Sequence, residues 1–392
     1  MRITFVTYTY PHPKRGFNPG IERVIESLSQ ELARKGHDVH VITTYSRNDG
    51  KKGEENVNGV KIHRVKDVRD IFGRVGSIFS LDLLSINYSV KKCNDILQDS
   101  DILHVFTPFL LNIPNVPVVS HFHHPEKIRN FKEYLYLPTS NYLWRKTYER
   151  SDAVISVSKY SARYLIKIGI SPNKIFVVPN GVDTEKFHPN VDASGLKNRF
   201  SGNNILLYVG PITQRKGLIY LIKSMPKILA EHKDTILVLV GKGNQEENLK
   251  RLSNKLGISR NVIFEGFIPE DQLPMYYNAC DLFVFPSLQE GFGMVLAEAM
   301  SCGKTVVASN TTAIPEVVGD AGVLVEPKNP DALAEAIIEL LSDEQRRKIL
   351  EQKALTRARN FTWDESAINC LRVYRTLSES NLRISKVKRG FE

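Results

Sequence analysis

Two stretches of this chain, about 200 residues apart, pass through the same order of elements, and this repeat limits the folds open to it more than any other feature. RITFVTY is β-rich, PHPKRGFNPG is a Pro/Gly loop, IERVIESLSQELARK spaces its apolar residues as a helix does, and HDVHVIT is a second strand. Gly36 falls where the C-cap of that helix is expected. NILLYVG, PITQRKG, LIYLIKSMPKILAEH and TILVLVG repeat the order. A β-α-β start in each half predicts an α/β chain with two parallel sheets and helical crossovers. The length of 392 residues suits two domains better than one core.

Between the repeats, KIFVVPNGVDTEKFHP reads as a short strand, an Asn180-Gly181 turn and a polar stretch, which places a linker near 188–203. Downstream, NVIFEG, DLFVFPS, KTVVAS and AGVLVEP alternate with helices predicted near 271–279, 294–302 and 331–341. TWDESAINCLRVYRTLSE closes the pattern as an amphipathic helix. The expected division is a first domain over 1–190, a second over 191–364 and a terminal helix over 365–392.

Several classes drop out at this stage. No run approaches the roughly 18 apolar residues of a membrane span, and the N-terminus lacks the apolar core and cleavage site of a signal peptide. Cys93, Cys280, Cys302 and Cys370 form no CxxC pair, so the expectation is a cytoplasmic chain with reduced thiols. The first 195 residues carry +7 of the net +10, a bias that any anionic partner would feel. No basic-aromatic motif accompanies it, so nucleic acid is not expected as a partner. KIRNFKEYLYL mixes Lys127, Arg129 and Lys132 with apolar residues and reads either as a solvated helix face or as a peripheral contact with an anionic membrane.

Four constellations could carry chemistry. In EGFGMVLAE, Glu290 follows a strand and Glu298 lies on the helix that begins at Phe292–Met294. A helix start behind Gly291-Phe292-Gly293 offers amide N–H groups and a positive dipole end to a phosphate. Acids beside such a phosphate suit the hydroxyls of a ribose or hexose, although acids at a helix start are also favoured for the dipole alone. In VGPITQRKGL, Arg215 and Lys216 follow a strand end, either facing a ligand crevice or forming a surface cluster. In PVVSHFHHP, strand alternation puts His121 and His123 on one face, where a metal pair, an ordinary packed pair and a polar catalytic group all remain open. The loop GFNPG, from Gly16 to Gly20, lacks GxGxxG spacing, and Thr43 and Thr44 stand where a dinucleotide site wants an acid. It can still bring Gly20, at a helix start, close to a phosphate or sugar ring.

Together these segments resemble the retaining glycosyltransferase family 4, whose members have the GT-B architecture of two Rossmann-like domains facing a cleft. The resemblance runs over nearly the whole chain: ARKGHDVHVIT, DILHVF, PVVSHFH, SDAVISVSKYSA, VVPNGVDTEKFHP, QRKG, GFIPEDQLPMYYNACDLFVFPS, EGFGMVLAEAMSCGKTVVAS and TWDESA stand in the family's order. It implies transfer of a hexosyl unit, with retention, from a UDP- or GDP-linked sugar to a hydroxyl of a glycan, lipid-linked or small-molecule acceptor. Glu290 would contact the hexose of the sugar donor, Glu298 the ribose and Lys216 the diphosphate, assisted by the amides around Phe292, Gly293, Met294 and Val295. Gly266 and Ile268 would flank the base, and His123 would lie near the acceptor and the transferred sugar.

The resemblance also implies no metal and no cofactor, the nucleotide sugar being a substrate. One departure bears on the site: the family's Gly-Arg is Gly210-Pro211 here, leaving Arg215 as the candidate replacement. Another, Cys302-Gly303-Lys304 in place of Gly-x-Pro, sits at a strand start. A nucleotide-sugar epimerase of the same architecture and a non-catalytic nucleotide-sugar-binding protein are the alternatives; the first would convert its substrate without an acceptor, and the second would never release nucleoside diphosphate.

Overall fold

The computed structural model describes residues 1–11, 20–45, 53–66, 87, 90–124 and 131–389. Gly16 to Pro19 of the first glycine-bounded loop lie outside these residues, as do Lys127, Arg129 and the side chain of Lys132. The chain forms two compact units, one of Met1–Pro179 with Trp363–Glu392 and one of Asn180–Thr362. No helix among the described residues is long and apolar enough to cross a membrane.

In the first unit, β1 (Arg2–Val6), β2 (Asp38–Tyr45), β3 (Gly53–Val57), β4 (Val60–Lys66), β5 (Ile102–Val105), β6 (Val118–Phe122), β7 (Ala153–Ser156) and β8 (Ile175–Val177) form one sheet in the order β3-β4-β2-β1-β5-β6-β7-β8. Its pairs are parallel except β3 with β4, an antiparallel edge hairpin turned at Asn58-Gly59. The helix Gly20–Arg34 buries Val24, Ile25, Leu28 and Leu32, the spacing of one helical face. The helix Trp363–Arg389 belongs to this unit: Ser366 Oγ donates to the Pro179 carbonyl at 2.7 Å, and Asp364 pairs with Lys35.

In the second unit, β9 (Asn204–Val209), β10 (Thr235–Val240), β11 (Val262–Gly266), β12 (Leu282–Phe285), β13 (Thr305–Ser309) and β14 (Gly322–Val325) form an all-parallel sheet in the order β11-β10-β9-β12-β13-β14. NILLYV, TILVLV and LFVF are almost entirely buried, as strands covered on both faces must be. The helix Leu218–Glu231 buries Leu221, Ile222, Met225 and Ile228, each side chain contributing about 2 kcal/mol through burial.

The expected linker at 188–203 is corrected by the structure. The division falls at Pro179/Asn180, and the following residues pack into the second unit. Val182 bridges Thr362, Phe187 is buried edge-on against Tyr277 at 5.8 Å, and Ser301 Oγ donates to the Phe187 carbonyl at 2.5 Å. Ala193 and Phe200 bracket a short helix, Ser194–Arg199, and are buried as well. The polar look of VDASGLKNRFSGNN hid two apolar anchors, Ala193 and Phe200, placed too far apart to show periodicity.

Candidate functional site

In each sheet the strand order reverses once, between β1 and β5 and between β9 and β12, and ligands of open parallel sheets bind beyond the carboxyl ends of the strands at such a point. In the second unit those ends carry QRKG after β9 and PSLQEGFG after β12. Gln214–Lys216 forms a single 3-10 turn, closed by Gly217 at φ 65°. A Cβ on Gly217 would lie 2.1 Å from the Pro286 carbonyl oxygen, so both its backbone angle and the close approach of the two loops demand glycine. Leu288 N–H donates to the Arg215 carbonyl at 2.9 Å, fastening the loops together.

This seam sets the charges. Lys216 Nζ donates to Glu290 Oε1 at 2.6 Å, Arg215 Nη1 lies 3.2 Å from the same oxygen, and Ser287 Oγ donates to it at 2.5 Å. The Arg215 guanidinium also donates to the Gln289 carbonyl. Glu290 N–H donates to Thr312 Oγ1 at 3.0 Å, and Lys216 Nζ sits 4.9 Å from the centre of the Phe285 ring. Both members of the pair are buried, at 6% and 7% exposure, so their attraction is little screened by water. Burial alone would raise the Glu290 carboxyl, but Lys216 and Arg215 hold it below the ordinary carboxylate range. Burial pulls the Lys216 ammonium down, opposed by Glu290 and reinforced by Arg215.

The helix Met294–Ser301 starts beside Glu290, with Gly293 as N-cap at φ 94° and no side chain capping its first turn. Met294 and Val295, in that turn, are half-buried. The Phe292 side chain is core, packed edge-on against Phe361 at 5.3 Å, which leaves its backbone as the part able to meet a ligand. Glu298, one turn further along, is 1% exposed and accepts from Tyr277 Oη at 2.8 Å. Gly266 ends β11, its carbonyl accepting from Gly241 N–H at 2.7 Å, and Ile268 beyond it is half-buried. Pro211 is exposed, and its carbonyl accepts from Tyr208 Oη at 2.9 Å.

Thus Arg215, Lys216 and Glu290 come together, with Gly293, Met294, Val295 and Glu298 on the adjoining helix, while Gly266 and Ile268 stand two strands away in the same sheet. Ser287, Thr312 and Tyr277 escaped the sequence reading. Ser287 had a local signal, a hydroxyl three residues before the acid; Thr312 and Tyr277 had none, since the fold alone brings them in.

Gly20 and His123 belong to the first unit. Gly20 opens its helix and is exposed. His123 follows β6, and its ring stacks on His121 with centroids 4.6 Å apart, as alternation predicted. Behind them, His121 Nδ1 lies 3.1 Å from His104 Nε2, and His104 Nδ1 lies 2.6 Å from Tyr374 Oη. Phe106 stacks on His121 at 4.8 Å. Burial, aided by neighbouring imidazoles, pushes His104 down to about 3 and holds His121 and His123 well below the ordinary value. All three rings are therefore neutral at pH 7. The Nε2 atoms of His121 and His123 are buried without a hydrogen-bond partner in the structure. Among the described residues, no three His, Cys, Asp or Glu side chains are grouped to hold an ion.

The profile of Glycosyltransferase Family 4 matches residues 19–186, and that of Glycosyl transferases group 1 matches residues 195–357. The chain is 32% identical to a glycosyltransferase of Methanocaldococcus jannaschii over 97% of its own length and 99% of that protein. It is 32% identical, over 54% of its length and 58% of the relative, to the GDP-mannose-dependent alpha-(1-6)-phosphatidylinositol monomannoside mannosyltransferase of Mycolicibacterium smegmatis. Among solved structures, sucrose-phosphate synthase from Thermosynechococcus elongatus matches with a TM-score of 0.82 at 23% identity, covering 97% of this chain and 99% of that one. The two parallel-sheet units with this likeness establish a GT-B fold, and the chain belongs to the group 1, family 4 glycosyltransferases.

Proposed function

We propose that the chain transfers a hexosyl unit from a nucleoside-diphosphate sugar, UDP- or GDP-linked, to a hydroxyl of a glycan, lipid-linked or small-molecule acceptor, with retention at the anomeric carbon. The observation that carries this reading is the buried Lys216–Glu290 pair at the β9/β12 reversal, beside an uncapped helix start. An ammonium has three donor positions, so Lys216 can hold Glu290 and still reach a phosphate oxygen. As the glycosidic bond breaks, negative charge grows on the departing diphosphate, where Lys216, Arg215 and the first-turn amides of the Met294 helix stabilise it. Glu290 orients hydroxyls of the hexose, Glu298 those of the ribose, and Gly266 and Ile268 flank the base. Gly20 lies by the sugar donor, and His123, neutral and half-buried, handles a hydroxyl of the acceptor or of the transferred sugar.

On this reading fixed side-chain cations perform the charge neutralisation, and no divalent metal or other cofactor takes part. The enzyme works in the cytoplasm, its basic first half meeting an anionic membrane surface when the acceptor is a lipid. A panel of UDP- and GDP-hexoses, with nucleoside diphosphate release and the anomeric configuration of the product as readouts, tests the reading. One sugar donor is expected to be turned over with retention and undiminished by EDTA. Inversion, or activity abolished by EDTA and restored by Mg²⁺ or Zn²⁺, would overturn the corresponding part.

A further inference from the structure

The first unit holds a cavity of about 670 Å³ between β6, the helix Phe131–Arg150 and the helix Lys159–Lys167. Its surfaces divide into three kinds. At one place stand His121 and His123, whose Nε2 atoms are buried and unpartnered. A buried imidazole nitrogen without a partner is unfavourable by roughly the strength of a lost hydrogen bond, and a neutral ring suits a hydroxyl better than an anion.

The wall is aromatic. Trp144 stacks on Tyr148 at 5.5 Å and Phe122 on Tyr164 at 5.7 Å, the latter pair within 4° of coplanar. Phe122 and Tyr148 are core behind this wall, and the partly buried Trp144 and Tyr164 leave ring surface toward the cavity for the C–H face of a sugar. Lys167 and Arg145 line the third part. Lys167 is exposed and has no ion-pair partner among the described residues. Arg145 Nε donates to Glu149 Oε1 at 2.8 Å, while its Nη2 reaches across Gly169, 3.5 Å from where a Cβ would stand there. Glu149 is shared with Lys146, at 2.7 Å, so the two basic groups lining the cavity exceed the acid beside them. A guanidinium bound through Nε keeps further N–H groups for an anion.

We propose that this cavity receives the acceptor and that the acceptor carries a phosphate: hydroxyls toward His121 and His123, a ring against the aromatic wall, and the phosphate on Lys167 and Arg145. The acceptor role rests on the glycosyltransfer proposed above. The phosphate would be a monoester on a small sugar or a diester in a lipid headgroup, and the probes separate these sources.

The full chain is titrated with a hexose and its 6-phosphate by calorimetry, and mixed with phosphatidylcholine vesicles with or without phosphatidylinositol in a flotation assay. The expectation is that one phosphorylated probe binds at least about tenfold better than its unphosphorylated counterpart, the scale of a charge-assisted contact. The double variant Lys167→Met/Arg145→Gln should erase that margin, Lys167→Arg should keep it, and the affinity for UDP or GDP should not change. Both side chains are on the surface, so folding is not at stake. No margin for either phosphorylated probe, or a margin that survives the double variant, would overturn the proposal. If the wild-type chain bound neither UDP nor GDP, the sugar-donor reading would fall and the acceptor role with it; a missing margin with nucleotide binding intact would strike the cavity alone.

Discussion

The two units share a parallel-sheet plan but equip their strand ends with opposite kinds of polar group. The second places ionised side chains there, Lys216 against Glu290 at 2.6 Å with Arg215 alongside, over strands of nearly pure apolar sequence. The first sets polar groups into the strands themselves, His104 in β5 and Ser120 and His121 in β6, and keeps its imidazoles neutral. A buried charge must be balanced, and because Lys216 and Arg215 share one carboxylate, either cation can turn toward an incoming anion. A buried neutral imidazole needs only a hydrogen bond, which a hydroxyl supplies. On the proposed function, this contrast suits the strand ends of the second unit to the departing diphosphate and the imidazoles of the first to hydroxyls, the acceptor phosphate proposed above resting on Lys167 and Arg145 away from those rings.

The comparison breaks most sharply at Lys216. Lys216→Ala should lower kcat about 10²- to 10³-fold, the effect of removing a preorganised charge-stabilising donor. A loss of less than about fivefold in steady-state turnover would move the chemistry elsewhere. Glu298→Ala comes next: donor-sugar KM should rise about tenfold to a hundredfold while kcat is largely kept, as for loss of a charge-assisted hydrogen bond. An equal fall in kcat would give Glu298 a part in the reaction step.

The first unit is probed by pH. An unfolded histidine binds its proton near pH 6.5, whereas His104 and His121 stay neutral in the folded chain to much lower values. Their contribution is thus complete above pH 6.5 and is lost on acidification, by up to about 1.4 kcal/mol per pH unit for each ring. Glu290 has its carboxyl held low, and its contribution is lost only below the ordinary carboxylate range. The window from pH 6.5 to 5 therefore isolates the histidines. Denaturant midpoints that do not fall across it would contradict the neutral rings. The smallest effects belong to the side chains that hold Glu290 in place: Ser287→Ala and Thr312→Val should each cost about 1 kcal/mol, a few-fold in kcat/KM. Unchanged kinetics for both would leave the ion pair self-sufficient.

These regions were not equally legible in sequence. EGFGMVLAE and QRKG could be read because their chemistry is compact: strand end, glycine, charge and helix start fall within a few residues. The sheets were legible for the same reason, since fully buried strands such as TILVLV appear as unbroken apolar runs. What stayed hidden depends on distance along the chain. Tyr374 meets His104 from 270 residues away, and Thr312 reaches the Glu290 amide from 22. Residues 180–203 misled because Val182, Phe187, Ala193 and Phe200 are anchors set in polar sequence, with no period to mark them. The edge hairpin β3–β4 carried a local signal, Asn58-Gly59, which the strand-helix alternation overshadowed.

The central claim is that the Lys216–Glu290 pair serves the diphosphate. It is tested most directly by calorimetric titration of UDP, GDP and their parent nucleosides into the wild-type chain and Lys216→Ala. One diphosphate should bind the wild type well and lose about tenfold to a hundredfold in affinity on substitution, with the nucleoside unaffected. Equal affinity of that diphosphate for both chains would contradict the claim.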